Sequence, residues 1–376
     1  MALQEVGSPA VADDMARLLQ AEFGLVYQPT VLPGPGAQNS EFPLNTGFLT
    51  RSGRVALVEA SLRQGCSGVD YEVVDGAACG PGLYPLFNRP PLVVTVQVTG
   101  DWPGVYTITL INNHWKSKGG DESVNVIRRE AQADHVAALV HEITQQTPDA
   151  HVIVAGDLND FPDSVPVQAL RKGVDPNLIN AIELLPPLEQ YTYIFNSASQ
   201  VLDYLLLTPN MLPALVEVNP LRINADFASP ASIDANSTLH SSDHDPIMLR
   251  FRPEGGAWLA ADWSWPDIQL TLVTRDGLPT TAATTEANTV ATTDAKGSAR
   301  IWNLTPGTYQ LNYQLPGNLV GAAGTEPLEI ELVGGVNQIE MPKLQHATVL
   351  STTGEILGLI AFDGLLAEPT DSTPAR

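Results

Sequence analysis

Along this chain, apolar residues fall in short runs that end on polar clusters. Leu44–Thr50, Val55–Ser61, Leu92–Val98, Val105–Ile111, Val152–Ala155, Val201–Leu207 and Ile247–Phe251 all have strand length and β-rich composition. Arg51-Ser52-Gly53-Arg54 between the first two predicts a hairpin turn, and Gly100-Asp101-Trp102-Pro103-Gly104 separates the next pair. Two segments have helical spacing instead. Ser8-Pro9 reads as an N-cap with proline in the first turn, followed by Met15, Leu18 and Leu19 and fading by Gly24. Ala133, Val136, Val140 and Ile143 recur at intervals of three and four residues. The opening residues, Met1 to Val6, predict a short strand with Glu5 at its C-terminal end. Beyond Phe251 the pattern changes. Pro253-Glu254-Gly255-Gly256 reads as a linker, and the residues from Trp258 to about Leu344 form short alternating runs with no helical period. Turn, strand, turn, strand from Asp294 to Leu311 predicts a small β-sandwich. The expected division is 1–252, 257–345 and a tail, 346–376, whose last residues Glu368 to Arg376 are polar enough to be disordered.

Length agrees with more than one domain, because the chain has 376 residues. Hydrophobic residues are 44% and charged ones 16%, enough apolar material for a core. The formal net charge of −23 excludes a broad basic face for nucleic acid and leaves room for a few local cations. No run approaches the roughly 20 apolar residues of a membrane-spanning helix, and the opening residues lack the pattern of a signal peptide. The two cysteines, Cys66 and Cys79, lie in one Gly-rich loop. An isolated pair so placed suggests a disulfide worth about 3 kcal/mol, with two free thiols as the alternative.

The polar clusters at the strand ends carry the chemistry. Ser241-Ser242-Asp243-His244-Asp245-Pro246 precedes the run Ile247–Phe251, which puts His244 on a loop at the mouth of a sheet. A carboxylate beside an imidazole can fix its tautomer and raise its basicity; a Ser- and Asp-rich surface turn is the alternative. Asp203 interrupts an apolar strand, where a carboxylate is costly unless paired, and His244 is its natural partner. Asp157 and Asn159, two apart at a strand end, can hold a cation or a water and donate to a phosphate oxygen. His114 ends another strand beside Asn113, Lys116 and Lys118, a group suited to negative charge developing on a phosphate. Glu5 is a candidate Mg²⁺ ligand. Clusters rich in Asp, Asn, His and Glu, with no cysteine, point to hard-metal phosphoester chemistry.

The ordered motifs resemble the endonuclease/exonuclease/phosphatase superfamily, and most closely its bacterial extracellular nuclease branch. They are Leu3-Gln4-Glu5-Val6, Arg89-Pro90-Pro91-Leu92, Asn113-His114-Trp115-Lys116-Ser117-Lys118-Gly119, Gly156-Asp157-Leu158-Asn159-Asp160, Leu202-Asp203-Tyr204 and Ser242-Asp243-His244-Asp245-Pro246. The resemblance implies an α/β four-layer sandwich, with two packed β-sheets flanked by helices, over residues 1 to about 252. The C-terminal region resembles the all-β sandwich modules of secreted bacterial proteins.

The resemblance also implies roles. Glu5 binds Mg²⁺, replaceable by Mn²⁺ or Ca²⁺, and Asp243 supports the metal. His244 activates water, held by Asp203. Asp157 orients that water or shares the metal. Asn159 holds the scissile phosphate, with Arg89, Asn113 and Lys116 near it, and His114 stabilises the transition state or protonates the leaving group. A Cys66–Cys79 disulfide is expected in a secreted member. The implied substrate is DNA or RNA, acted on by a monomer with no protein partner, outside the cell or at its surface. A phosphatase or phospholipid phosphodiesterase of the same superfamily is the alternative. The family pattern begins with an Asn-bearing strand that has no counterpart before Glu5. The chain is therefore expected to be truncated and weakly active or inactive, and a non-catalytic surface module is the third possibility.

Overall fold

The structure, a computed structural model, describes residues 1–38, 43–74, 79–100, 105–228, 237–253, 257–262, 266–274, 290–314, 327–341, 344–350 and 356–363. The linker residues 254–256, the turn residues 101–104 and the polar tail lie outside the described residues. The chain forms two compact units. The first is 1–185 with 189–212 and 218–249; the second holds 250–376 and two short segments, 186–188 and 213–217.

In chain order the first part contains β1 (Ala2–Val6), α1 (Pro9–Phe23), β2 (Tyr27–Val31), β3 (Asn45–Arg51) and β4 (Val55–Leu62). The short strands β5 (Cys66–Ser67) and β6 (Tyr84–Pro85) precede β7 (Leu92–Val98), β8 (Tyr106–His114), α2 (Glu122–Gln146) and β9 (His151–Asp157). Then come α3 (Val165–Lys172), β10 (Ile179–Asn180), β11 (Tyr193–Phe195), β12 (Ala198–Gln200), β13 (Asp203–Leu207), β14 (Leu215–Pro220) and β15 (Ile247–Phe251). Three strands form one sheet in the order β1-β3-β2, and six form another in the order β10-β13-β9-β8-β7-β4. The α1 helix starts where Ser8 Oγ accepts from Val11 N and stops at Gly24, whose φ of 66° is left-handed. α2 lies on the larger sheet, where its His135 Nε2 is 3.0 Å from Arg63 O, just past the end of β4. The two sheets are tied to each other by Asn112, fully buried at the end of β8. Its Nδ2 donates to Leu3 O and to Gly47 O, both at 3.0 Å, and its Oδ1 accepts from Gln4 Nε2 at 2.7 Å. This is the mixed α/β layering with two sheets expected above.

The hairpin expected around Arg51–Arg54 does not form. The turn is there, but β3 pairs with β1 and β2, whereas β4 pairs with β7. Composition gave the turn, but it carries the chain from one sheet to the other. By contrast, β7 and β8 do pair antiparallel, from Leu92↔Asn112 to Val98↔Tyr106. Cys66 and Cys79 are disulfide-bonded, closing a loop over 13 residues. Among the described residues no helix is long and apolar enough to cross a membrane.

The second unit is strand-rich. β16 (Ala257–Asp262), β17 (Gln269–Thr274), β18 (Val290–Thr292), β19 (Ser298–Leu304), β20 (Gly307–Gln314), β21 (Leu328–Leu332) and β22 (Gly335–Glu340) form sheets β19-β16-β22 and β18-β17-β20-β21. Leu259, Leu270, Leu272, Ile301 and Leu311 bury between them, the yield of period-two alternation. Tyr309 Oη donates back to Thr305 O at 2.6 Å, closing the Leu304–Tyr309 corner. β23 (Leu344–Leu350) and β24 (Ile356–Asp363), in the stretch read as tail, pair antiparallel.

Candidate active site

Three neighbouring strands of the six-stranded sheet bring one functional residue each to a single row. His114, the last residue of β8, is the register partner of Asp157, the last residue of β9, and Asp157 is in turn the partner of Asp203, the first residue of β13. Paired residues on adjacent strands project to the same face. Gly156 makes this close. Its φ is 119°, and a Cβ there would lie 1.9 Å from Asn113 O, so only glycine lets β9 press against β8 at this point.

His244 completes the row from a distant loop. Its Nδ1 is 2.7 Å from Asp203 Oδ2, and its ring lies against Tyr193 with centroids 4.7 Å apart. Burial alone would depress the imidazole's pKa. The hydrogen bond and charge of Asp203, with Asp157 and Asp243 behind it, raise it to about 9. The loop that carries His244 is itself clamped. Asp245 Oδ1 accepts from the backbone N–H of Ile223, Asn224 and Ala225, at 3.2, 2.8 and 3.1 Å. Its Oδ2 accepts from Arg222 Nη1 at 3.2 Å, and Asn224 Nδ2 donates to His244 O at 2.6 Å. The two carboxylates flanking His244 thus differ. Asp243 is exposed and acts on His244 through its charge, whereas Asp245 is buried and holds the backbone.

On the other side of Asp157, His114 Nε2 is 3.7 Å from Asp157 Oδ2 and 4.0 Å from Glu5 Oε1. Burial, with the charges of Arg89 and His244, lowers the pKa of His114 to about 3, so its ring is neutral near pH 7. Its Nδ1 is buried and has no hydrogen-bond partner among the described residues. Glu5 reaches the site because β1 bulges there. The register passes from Leu3↔Gly47 to Val6↔Asn45, and Glu5 takes a φ of 56° and turns its side chain out to solvent. Burial and the Asp203 charge push the Asp157 carboxyl well above the usual range.

The remaining predicted phosphate ligands divide. Arg89 donates Nε to His114 O at 3.2 Å and Nη2 to Trp115 O at 2.8 Å, and it feels the charges of Asp157 and Glu5. Gly36 allows the loop beneath it, because a Cβ would lie 2.9 Å from Asn88 O. Asn159 is turned inward. Its Nδ2 donates to Asp157 Oδ2 at 2.9 Å and to Trp115 O at 3.3 Å, and its left-handed backbone (φ 52°) closes an Asx turn onto Asp157 Oδ1. Asn113 is not at the site. It is fully buried, with Nδ2 given to Ile111 O and Ala155 O and Oδ1 taken by Trp115 Nε1, so it has no donor for a phosphate. Lys116 borders the site, but its Nζ donates to Ser117 O, Ser117 Oγ and Gly119 O.

Among the described residues no three His, Cys, Asp or Glu side chains converge as a metal cage. Glu5 and Asp157 nevertheless bring two carboxylates to the Nε2 edge of His114. That donor set fits a hard cation that keeps several waters and takes one or two carboxylates together with substrate oxygens. Asn112, Tyr193, Asn224 and Asp245 were not singled out for these positions from the sequence. Only Asp245, inside the Asp-His-Asp run, carried a signal there.

Residues 86–219 match the model of the Endonuclease/Exonuclease/phosphatase family. On that match the protein is an enzyme that hydrolyses phosphodiester bonds. Arg89, His114, Asp157 and Asp203 lie within the matched stretch, whereas Glu5 and His244 lie outside it. No curated protein matches the chain. Among solved structures, the chain is similar to the human Nocturnin catalytic domain with bound sulfate (21% identity, 67% of this chain and 79% of that one, TM-score 0.44). It is also similar to truncated TDP2 of Caenorhabditis elegans (18% identity, 66% and 83%, TM-score 0.41). A third is ANGEL2, a 2′,3′-cyclic phosphatase, in complex with adenosine-2′,3′-vanadate (12% identity, 66% and 80%, TM-score 0.43).

Proposed function

We propose that the protein is a secreted, divalent-metal-dependent nuclease that cleaves DNA or RNA by in-line attack of a water activated by His244. The observation that carries the reading is the row His114–Asp157–Asp203 on three adjacent strands, with His244 held 2.7 Å from Asp203. Asp203 holds the Nδ1–H of His244, so the neutral ring, which predominates only above about pH 9, has its free Nε2 placed to take the proton of the attacking water. Asp157 stands between the two histidines and orients that water. His114, neutral and buried, donates a hydrogen bond to the phosphate as charge develops, and Arg89 adds a cation beside it. Glu5, with Asp157, would hold Mg²⁺, or Mn²⁺ or Ca²⁺ in its place, and Asp243 lies on the His244 side. When bound, the cation neutralises charge on the phosphate oxygens. Asn159 serves by fixing Asp157, and it contacts the phosphate only if its amide turns from Asp157.

The nuclease reading rests on the Asn-His-Trp-Lys-Ser-Lys motif and the local cations Arg89 and Lys116 in an acidic chain. The Cys66–Cys79 disulfide supports a secreted or cell-surface location, and within the superfamily the reading favours the bacterial extracellular branch. Residues 1–252 form the catalytic domain and 257–345 a sandwich module acting as a spacer, adhesion or substrate-binding element, the whole working as a monomer. The experiment is a substrate panel with Mg²⁺: plasmid DNA, RNA, a phospholipid and a phosphomonoester. Cleavage of DNA or RNA is expected. Turnover confined to the phospholipid or the monoester would replace the nuclease with the alternative hydrolase.

A further inference from the structure

A small pocket beside His114 is lined by Arg89, Lys116 and Arg128, together with Asn88, Ser117 and Gln132, and encloses about 190 Å³. No carboxylate lines it. That is unexpected in a chain with 42 acidic and 19 basic residues, where a cation is more often met by a carboxylate than by another cation.

The neighbouring cations show what pairing looks like here. Lys118 donates to Glu122 and Asp160, and Arg129 donates to the same two carboxylates. Lys116 and Arg128, two and one positions away, do neither. Arg128 gives Nε and Nη2 to Leu86 O at 3.0 and 2.7 Å and Nη2 also to Asn88 Oδ1 at 2.7 Å, and its guanidinium lies over the Tyr71 ring. Neither Arg128, Arg89 nor Lys116 forms an ion pair among the described residues, and no Nη1 bond of either arginine is found there. Burial and the Arg89 charge lower the Arg128 pKa to about 10, and burial, Arg128 and Arg89 lower that of Lys116 against the pull of Glu122. Two arginines with unused Nη1 donors, beside a lysine bonded only to neutral oxygens, form a lining that favours an anion.

We propose that this pocket binds a second phosphate of the substrate, next to the phosphodiester being cleaved. The enzyme then prefers substrates with consecutive phosphates over isolated phosphodiesters. The inference rests on the phosphodiesterase reading of the site. His114 joins the two places, since its Nε2 faces Asp157 and Glu5 while its ring lines the pocket. The volume falls below the about 300–1,000 Å³ of pockets that take a whole drug-sized ligand, and suits one anionic group rather than a base.

Two measurements on the full chain test this. In metal-free protein, inorganic phosphate titrated by ³¹P NMR is expected to bind to wild type and to His244→Ala alike, and at least about tenfold more weakly to Arg128→Gln. Equal binding by wild type and Arg128→Gln would overturn the proposal. In turnover, kcat/KM is compared for thymidine dinucleotides with and without a 5′- or 3′-terminal phosphate, and for glycerophosphoinositol with and without a ring phosphate. The added phosphate is expected to raise kcat/KM at least about tenfold at one end of the dinucleotide, and this ratio should collapse in Arg128→Gln and partly return in Arg128→Lys. A gain confined to the inositol pair would assign the pocket to a lipid headgroup phosphate and overturn the nucleic-acid source. A ratio near one in wild type would overturn the proposal. Should the Arg128 variants fail to fold, Lys116→Gln carries the same ratio test. Cleavage of diesters with no phosphate binding would sink the pocket and leave the phosphodiesterase reading intact. Arg128-dependent phosphate binding with no diester cleaved would do the reverse.

Discussion

Replacing Asp203 by asparagine keeps the shape of the side chain and removes its charge, 2.7 Å from His244 Nδ1. The difference between about 9 and the ordinary 6.5 of His244, at about 1.4 kcal/mol for each pKa unit, is a preference of about 3 kcal/mol for the imidazolium. Burial opposes that preference, and Asp203 leads the groups that create it, with Asp157 and Asp243 contributing less. In Asp203→Asn the ring is therefore expected to titrate near or below 6.5. NMR of the imidazole carbons in chelator-treated protein reads this directly. The same change removes the group that fixes the tautomer, so kcat should fall roughly 10²- to 10⁴-fold. The linkage has a definite sign. The folded chain holds this proton more tightly than the unfolded one, so the contribution to stability is full below pH 6.5 and is lost as the pH rises through about 9. In Asp203→Asn that loss should flatten. A ring that still titrates near 9 in the variant, or a kcat within roughly threefold of wild type, would rule out Asp203 as the group that charges and orients His244.

Other outcomes follow from the same geometry. His114 is held neutral, so its NMR signals should stay unprotonated until about pH 3, and stability should fall as the pH drops from 6.5 towards that value, because the unfolded chain takes up the proton first. Asp245→Ala leaves the N–H groups of Ile223, Asn224 and Ala225 without their acceptor. A loss of about 3 kcal/mol or more in urea unfolding is expected, together with loss of activity. Asn112→Ala removes three bonds between the sheets and should cost roughly 2–4 kcal/mol by the same measurement. Reduction of Cys66–Cys79 opens a short loop and should cost about 3 kcal/mol at most.

Strand and helix positions were largely legible because the apolar period differs so clearly between β9, read from Val152 to Ala155, and α2, read from Ala133 to Ile143. Partnership was not. Nothing in Arg51–Arg54 tells that β3 and β4 belong to different sheets, since turn composition sets local geometry and leaves the pairing open. The Asp203–His244 pair could be anticipated because a carboxylate inside an apolar strand demands a partner. Asn113 misled because two adjacent asparagines at a strand end look alike in sequence. They alternate faces, and Asn112 ties the sheets while Asn113 caps Trp115. The basic pocket was not legible in α2. Arg129 continues the stripe of Ala133, Val136 and Val140, which is a costly place for a charge unless it is paired. Its neighbour Arg128, buried and unmatched by a carboxylate, has no such signature.

In the proposed mechanism His244, oriented by Asp203, drives hydrolysis of a phosphodiester. The most direct measurement is the hydrolysis rate of bis(4-nitrophenyl) phosphate by wild type and by His244→Ala, each with Mg²⁺ and with EDTA. Mg²⁺-dependent turnover by wild type is expected, absent with EDTA and reduced by at least about 10³-fold in a folded His244→Ala protein. Equal turnover by the two proteins in Mg²⁺ would contradict the account.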